Sequence, residues 1–144
     1  MDVSKPIELT RIEEVHILQN IRLILNHDLN PICSKENMRV QFNIDGEIKG
    51  GITCYLCLDE FELTQTEKIN LLPLFVESMN ILIGRQISLD EEFSNFKINM
   101  SPPKISMIAK SITTNARRMT QKYELQIEDS FYKILTEYNL EALN

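Results

Sequence analysis

Between Leu71 and Gly84, nine of fourteen residues are aliphatic, Phe or Met; the exceptions are Pro73, Glu77, Ser78, Asn80 and Gly84. Thr64-Gln-Thr-Glu67 precedes this run as a capping box, in which the threonine hydroxyl and the glutamate carboxylate each satisfy an orphan backbone N–H. Together they predict a helix over residues 65–88. At about 100° per residue, Pro73, Glu77, Asn80 and Gly84 share a strip about 60° wide, and Ser78 points elsewhere. Leu72, Val76, Met79 and Ile83 flank the strip on one side, Leu74 and Ile81 on the other. A surface helix normally carries a wide polar face. A helix with so narrow a strip is largely buried. Pro73 removes one i→i−4 bond inside it, which predicts a kink or break near Leu72.

The rest of the chain supplies candidate partners for that helix. Apolar residues at Ile12, Val15, Leu18, Leu23 and their neighbours predict a first helix over 11–27 with a broad buried face, ended by Asn30-Pro31. Met38, Val40, Phe42 and Ile44 alternate with polar residues, Asp45-Gly46 is a hairpin turn signal, and Ile52, Cys54, Leu56 and Leu58 alternate again. Residues 38–59 therefore predict a β-hairpin, with Gly50-Gly51 marking a bulge or a close backbone contact. Further strands are expected at Phe96–Met100, Ile105–Thr113 and Met119–Ile127, with a Pro102-Pro103 corner between the first two. Residues 131–138 carry three aromatics and β-branched Ile134 and Thr136, which favours a strand.

Composition narrows the function classes. The 144 residues suit one domain, spanning 1–144, and 21 acidic against 15 basic residues give a net charge of −6 and a pI of about 5.0. A nucleic-acid backbone needs a basic face to neutralise it, so nucleic acid is not an expected partner. No apolar run reaches the length of a membrane span, and Met1-Asp2-Val3-Ser4-Lys5 lacks the basic start and apolar stretch of a signal peptide. Three cysteines without a framework spacing point to a reducing cytoplasm. No Gly-rich phosphate loop, GxSxG elbow or HExxH motif is present.

Several residues invite chemistry and have plainer readings. Cys54-Tyr-Leu-Cys57 has CxxC spacing, yet on a strand the two sulfurs diverge, leaving Cys54 in the core and Cys57 on the other face. His16 is expected to be satisfied or solvent-facing, and Cys33 has no suggestive neighbour. Asp90-Glu91-Glu92 is expected in a solvated loop, Arg117-Arg118 at a strand start, and Met79 and Met100 in the core. Glu77 and Asn80, at i and i+3, place their Cβ atoms about 5–6 Å apart, near enough for both to touch one reacting group and its neighbour. Spacing alone favours a plain solvent edge for this pair, because Glu-x-x-Asn is a common quartet.

Glu77-Ser-Met-Asn80-Ile-Leu-Ile-Gly84, followed by Ile98-Asn-Met-Ser-Pro102-Pro103, resembles the CheC/CheX/FliY family of chemotaxis phosphatases. The signature of that family is a Glu-x-x-Asn pair on a long helix with a downstream proline. The glycine after the asparagine and the Pro-Pro corner make the chain most similar to CheX, and Ile48-Lys-Gly50-Gly-Ile52 is similar to the family's Gly-containing strand. Pro73 stands where the family often has Ser or Asp, and the stretch from Gly51 to Glu77 is shorter than in CheX.

The resemblance implies a phosphatase acting on the aspartyl phosphate of a CheY-like response regulator, in chemotaxis or a related two-component pathway. In that role Asn80 orients the attacking water and Glu77 pairs with a lysine of the regulator. It also implies a homodimer formed through the sheets, with no cofactor of its own, the Mg²⁺ residing on the partner regulator. The alternative is a non-catalytic CheX-like domain that binds a receiver domain or a flagellar component. The expected fold is an α/β (α+β) CheX-like domain, with two or three helices packed on an antiparallel-rich β-sheet and the long helix presenting Glu77 and Asn80.

Overall fold

The computed structural model describes residues 4–7, 9–29, 36–58, 62–108 and 119–143. Cys33, Asn30-Pro31, the 109–113 portion of the expected strand and Arg117-Arg118 lie outside the described residues. The chain forms β1 (Ser4–Pro6), β2 (Glu14–Leu18), β3 (Ile21–Leu25), β4 (Asn37–Gly46) and β5 (Ile48–Cys57). Then come α1 (Gln65–Leu89), α2 (Glu91–Ser94), β6 (Ile98–Met100), β7 (Lys104–Ile108), β8 (Met119–Ile127) and β9 (Ser130–Leu143). The fold is α+β, with one long helix against an antiparallel sheet. Among the described residues α2 is the only other α-helix, a single turn, so the expectation of several long helices is corrected.

Among the described residues nine strands join one sheet, seven of them in the order β2-β3-β8-β9-β5-β4-β6, with β1 paired to β9 and β7 to β4. At its centre β9 pairs with β5 from Ile48↔Ala142 to Leu56↔Ile134, and with β8 from Met119↔Tyr138 to Ile127↔Ser130. β1 continues along β9 past the end of β8, from Ser4↔Leu143 to Pro6↔Glu141. The outer edge of β4 is likewise shared, by β6 at Ile44↔Met100 and by β7 at Gln41↔Lys104. The Pro102-Pro103 corner links these two short strands, as expected from residues that cannot donate to a ladder.

The hairpin expected at 38–59 is β4–β5. Gly46 takes a φ of 111° at its turn, in the region that favours glycine. Met38, Val40, Phe42 and Ile44 alternate inward, all of them buried. Close backbone approach explains Gly50: its φ is 141°, and a Cβ there would lie 1.8 Å from the Asn139 carbonyl oxygen.

The first helix is a correction. Residues 14–25 form the β2–β3 hairpin, with Leu18 pairing Ile21 across a two-residue turn. Asn20 sits at φ 64°, a left-handed conformation that asparagine tolerates better than most side chains. The apolar residues here are dense enough to satisfy both the helical and the strand period. The deciding signals were β-branched Val15, Ile17, Ile21 and Ile24, and the exposed polar positions Glu14, His16 and Arg22. His16 accordingly lies on a strand, exposed, 3.5 Å from the Glu14 carboxylate.

The core lies between α1 and the inner face of the sheet. Leu71, Phe75, Met79, Leu82 and Ile83 of α1 join Val15, Leu23, Phe42, Ile52, Leu56, Leu125 and Ile134 of the strands in one cluster. Each such side chain contributes about 1.5–3 kcal/mol on burial, which is why the helix face and the alternating strands assemble as one unit. Met79 is in this core as expected, whereas Met100 is 40% exposed because β6 lies on β4's outer edge. Asp90 is not in a solvated loop: it is buried, accepts from Thr10 Oγ1 at 3.2 Å and from the Phe93 backbone N–H at 3.2 Å, and so caps the short α2.

Candidate functional site

The local sequence fixes where α1 starts. Thr64 Oγ1 accepts from the Glu67 N–H at 3.1 Å, and Glu67 Oε1 accepts from the Thr64 N–H at 3.2 Å. From that cap the helix runs unbroken through Pro73 to Leu89, so the expected break near Leu72 is absent. The proline is exposed and the buried Leu71 and Phe75 on either side hold the chain to the core. Since proline in a helix interior costs about 3 kcal/mol relative to alanine, Pro73→Ala is expected to raise stability by about 1–2 kcal/mol. A shift in the urea midpoint at constant m-value would measure it.

The buried face of α1 consists of Leu71, Phe75, Ser78, Met79, Leu82, Ile83 and Gln86. Glu77, Asn80, Pro73 and Gly84 occupy the opposite face, at about 100° per residue. Glu77 is exposed and Asn80 half-buried, and neither makes a hydrogen bond or ion pair with another described residue. Ser78, between them, turns inward and donates to the Leu74 carbonyl at 2.6 Å. Gly84 would meet nothing within 4 Å if it carried a Cβ, so the helix surface beyond Asn80 is open. One carboxylate and one carboxamide thus stand side by side on a rigid helix, with their hydrogen-bonding capacity unspent.

N-terminal to this pair, Ile69, Leu72 and Met107 line an apolar groove of about 310 Å³ between α1 and β7. Ile69 is 60% and Met107 47% exposed. The groove ends at an ion pair, with Lys68 Nζ 2.9 Å from the Glu36 carboxylate. The Pro102-Pro103 corner is held at the β4 edge, where the Ser101 N–H donates to the Asn43 carbonyl at 2.9 Å.

Sequence reasoning passed over a buried polar cluster beneath α1. Gln86 Nε2 lies 3.0 Å from both Gln121 Oε1 of β8 and the Tyr138 hydroxyl of β9. That hydroxyl is 3.1 Å from Gln86 Oε1, and Tyr123 donates to Gln121 Oε1 at 2.8 Å. Thr136 Oγ1 donates to the Gln121 carbonyl at 3.0 Å. Burial pushes the Tyr123 and Tyr138 hydroxyls up, so both keep their protons at neutral pH. The available signal was Gln121, which occupies the inward parity of a strand otherwise reading Tyr123, Leu125, Ile127.

The cysteines differ from expectation in one respect. Cys54 is free and fully buried, and burial pushes its thiol up; Cys57, on the opposite face, is disulfide-bonded. Among the described residues, no group of three or more His, Cys, Asp or Glu side chains could hold a metal ion, and no helix is long and apolar enough to cross a membrane. No protein-family model matches the chain, and no curated protein matches it.

Proposed function

We propose that the protein is a CheX-like phosphatase that hydrolyses the aspartyl phosphate of a CheY-like response regulator. The observation that carries this reading is the Glu77/Asn80 pair on the outward face of α1, opposite the core, with no partner among the described residues. Together with the sequence resemblance around Glu77–Gly84 and Pro102-Pro103, that placement suits a helix that presents two side chains to another protein. An acyl phosphate is already prone to hydrolysis, so positioning supplies most of the acceleration.

In this mechanism Asn80 Oδ1 accepts a hydrogen bond from a water and holds it in line with the bond to be broken. The water oxygen bonds to phosphorus and the bond between phosphorus and the aspartyl oxygen breaks. The carboxylate leaves with its electron pair, and the water's proton passes to the phosphate or to solvent. A neutral carboxamide suits this role as a guide rather than a base, as the water-positioning glutamine does in GTPases. Glu77 pairs with a regulator lysine and sets the register of docking. The Mg²⁺ of the reaction belongs to the regulator. The apolar groove beside Ile69 gives the partner a second foothold on the same helix. By the resemblance the working unit is a homodimer formed through the sheets. It works in the cytoplasm.

The test is the lifetime of the phosphoryl group on a CheY-like regulator from the same genome, with and without the protein. Accelerated decay is expected; a regulator that binds with its phosphate lifetime unchanged would identify a non-catalytic receiver-binding domain instead. Glu77→Ala is expected to weaken regulator binding by about tenfold, or ~1.4 kcal/mol, with a parallel fall in turnover at low regulator concentration. Titration of labelled regulator checks this, and equal affinity for both proteins would remove the docking role.

A further inference from the structure

We propose that Gln86 is a positioning residue for Asn80: its buried carboxamide, held by Gln121 and Tyr138, sets the roll and axial register of α1 on the sheet. This rests on the reading of Asn80 as the water-orienting group. The rest of the buried face of α1 is apolar apart from Ser78, which bonds within its own helix. Apolar burial is non-directional, so Leu71, Phe75, Met79, Leu82 and Ile83 hold the helix to the sheet without fixing its angle. Gln86 is different. Its amide nitrogen reaches Gln121 and Tyr138 at 3.0 Å each and its amide oxygen reaches Tyr138 at 3.1 Å, so it binds α1 to two adjacent strands at once. Gln121 Nε2 finds no partner among the described residues, but a roll of α1 would break the three bonds that Gln86 makes inside the core, where losing a partner is costly.

The lever arm is short. Gln86 follows Asn80 by six residues, about 9 Å along the axis and about 240° around it. With side chains about 5–6 Å from the axis, a roll of about 10° carries the Asn80 carboxamide through about 1 Å. A misplacement of that size can cost about 100-fold in rate. Three side chains far from the solvent face are thereby linked to the placement of the water.

The experiment compares wild type with Gln86→Leu and with the triple variant Gln86→Leu/Gln121→Leu/Tyr138→Phe. Gln86→Leu alone strands buried polar groups and is expected to lower the melting temperature. The triple variant makes the cluster largely apolar and is expected to recover it, because replacing all partners by apolar groups can be nearly neutral. Both are expected to bind the regulator within about twofold of wild type and to lower the maximal rate of phosphate release by about tenfold or more. Crystal structures superposed on the sheet are expected to place α1 rolled or shifted by about 1 Å. A triple variant with the wild-type maximal rate, or with α1 in the wild-type register, overturns the proposal. Should the triple variant not fold, Gln86→Met keeps the side-chain length and loses both hydrogen-bonding functions, and the same two readouts decide. If wild type itself leaves the phosphate lifetime unchanged, the phosphatase reading fails, and the positioning role toward Asn80 fails with it. An unshifted α1 beside an active wild type sinks the positioning role alone.

Discussion

Gly50→Ala is expected to destabilise the protein by more than about 4 kcal/mol, a large share of the 5–15 kcal/mol that holds a typical domain folded. Two independent effects add. The backbone at Gly50 has a φ of 141°, where an L side chain is strained, and its Cβ would lie 1.8 Å from the Asn139 carbonyl oxygen. That oxygen belongs to β9, the longest strand, which β5 pairs along most of its length. Neither backbone can retreat without breaking the ladder at the centre of the sheet. Gly51→Ala is the matched control: its Cβ would meet the Phe42 carbonyl oxygen at 3.3 Å, a contact relieved by a few tenths of an ångström. Urea unfolding of the two variants is the measurement, and similar midpoints would refute the close-approach account.

Asn80→Ala is expected to lower the rate of regulator dephosphorylation by about 100-fold or more while leaving the fold and the regulator affinity nearly intact. Asn80 is half-buried and bonded to no other described residue, so its truncation strands no partner. Alanine is also the better helix former, by a few tenths of a kcal/mol. Stability is therefore expected to stay the same or rise slightly. The loss falls on the maximal rate, because a guide for the attacking water acts in the transition state rather than in docking. Glu77→Ala has the complementary profile, with loss in affinity. The two variants separate the roles of neighbouring side chains on one helix face.

Which parts of this architecture were legible in the sequence follows from how many local signals agreed. The β4–β5 hairpin had strict alternation plus Asp45-Gly46, and α1 had a capping box plus a helical apolar run; both formed with nearly the expected bounds. Residues 131–138, whose aromatics and β-branched side chains favour a strand, lie within β9. Residues 11–27 form strands where a helix is expected because their apolar side chains are too dense to distinguish the two periods; the local turn signal is Asn20, at a left-handed φ of 64°. The strip at Glu77 and Asn80 was legible because these are its polar positions in an otherwise apolar run from Leu71 to Ile83; Gln86 was not, since a carboxamide within a helix reads as surface until its strand partners are known. The disulfide at Cys57 depends on tertiary approach, which spacing along the chain does not encode.

If the Asn80 carboxamide on the outward face of α1 speeds the loss of an aspartyl phosphate, the effect is seen in the decay of a phosphorylated CheY-like regulator from the same genome, followed with wild type and with Asn80→Ala at concentrations that saturate binding. Rapid decay is expected with wild type and decay near the unassisted rate with the variant. Equal decay with the two proteins, whether both fast or both slow, would contradict this role for Asn80.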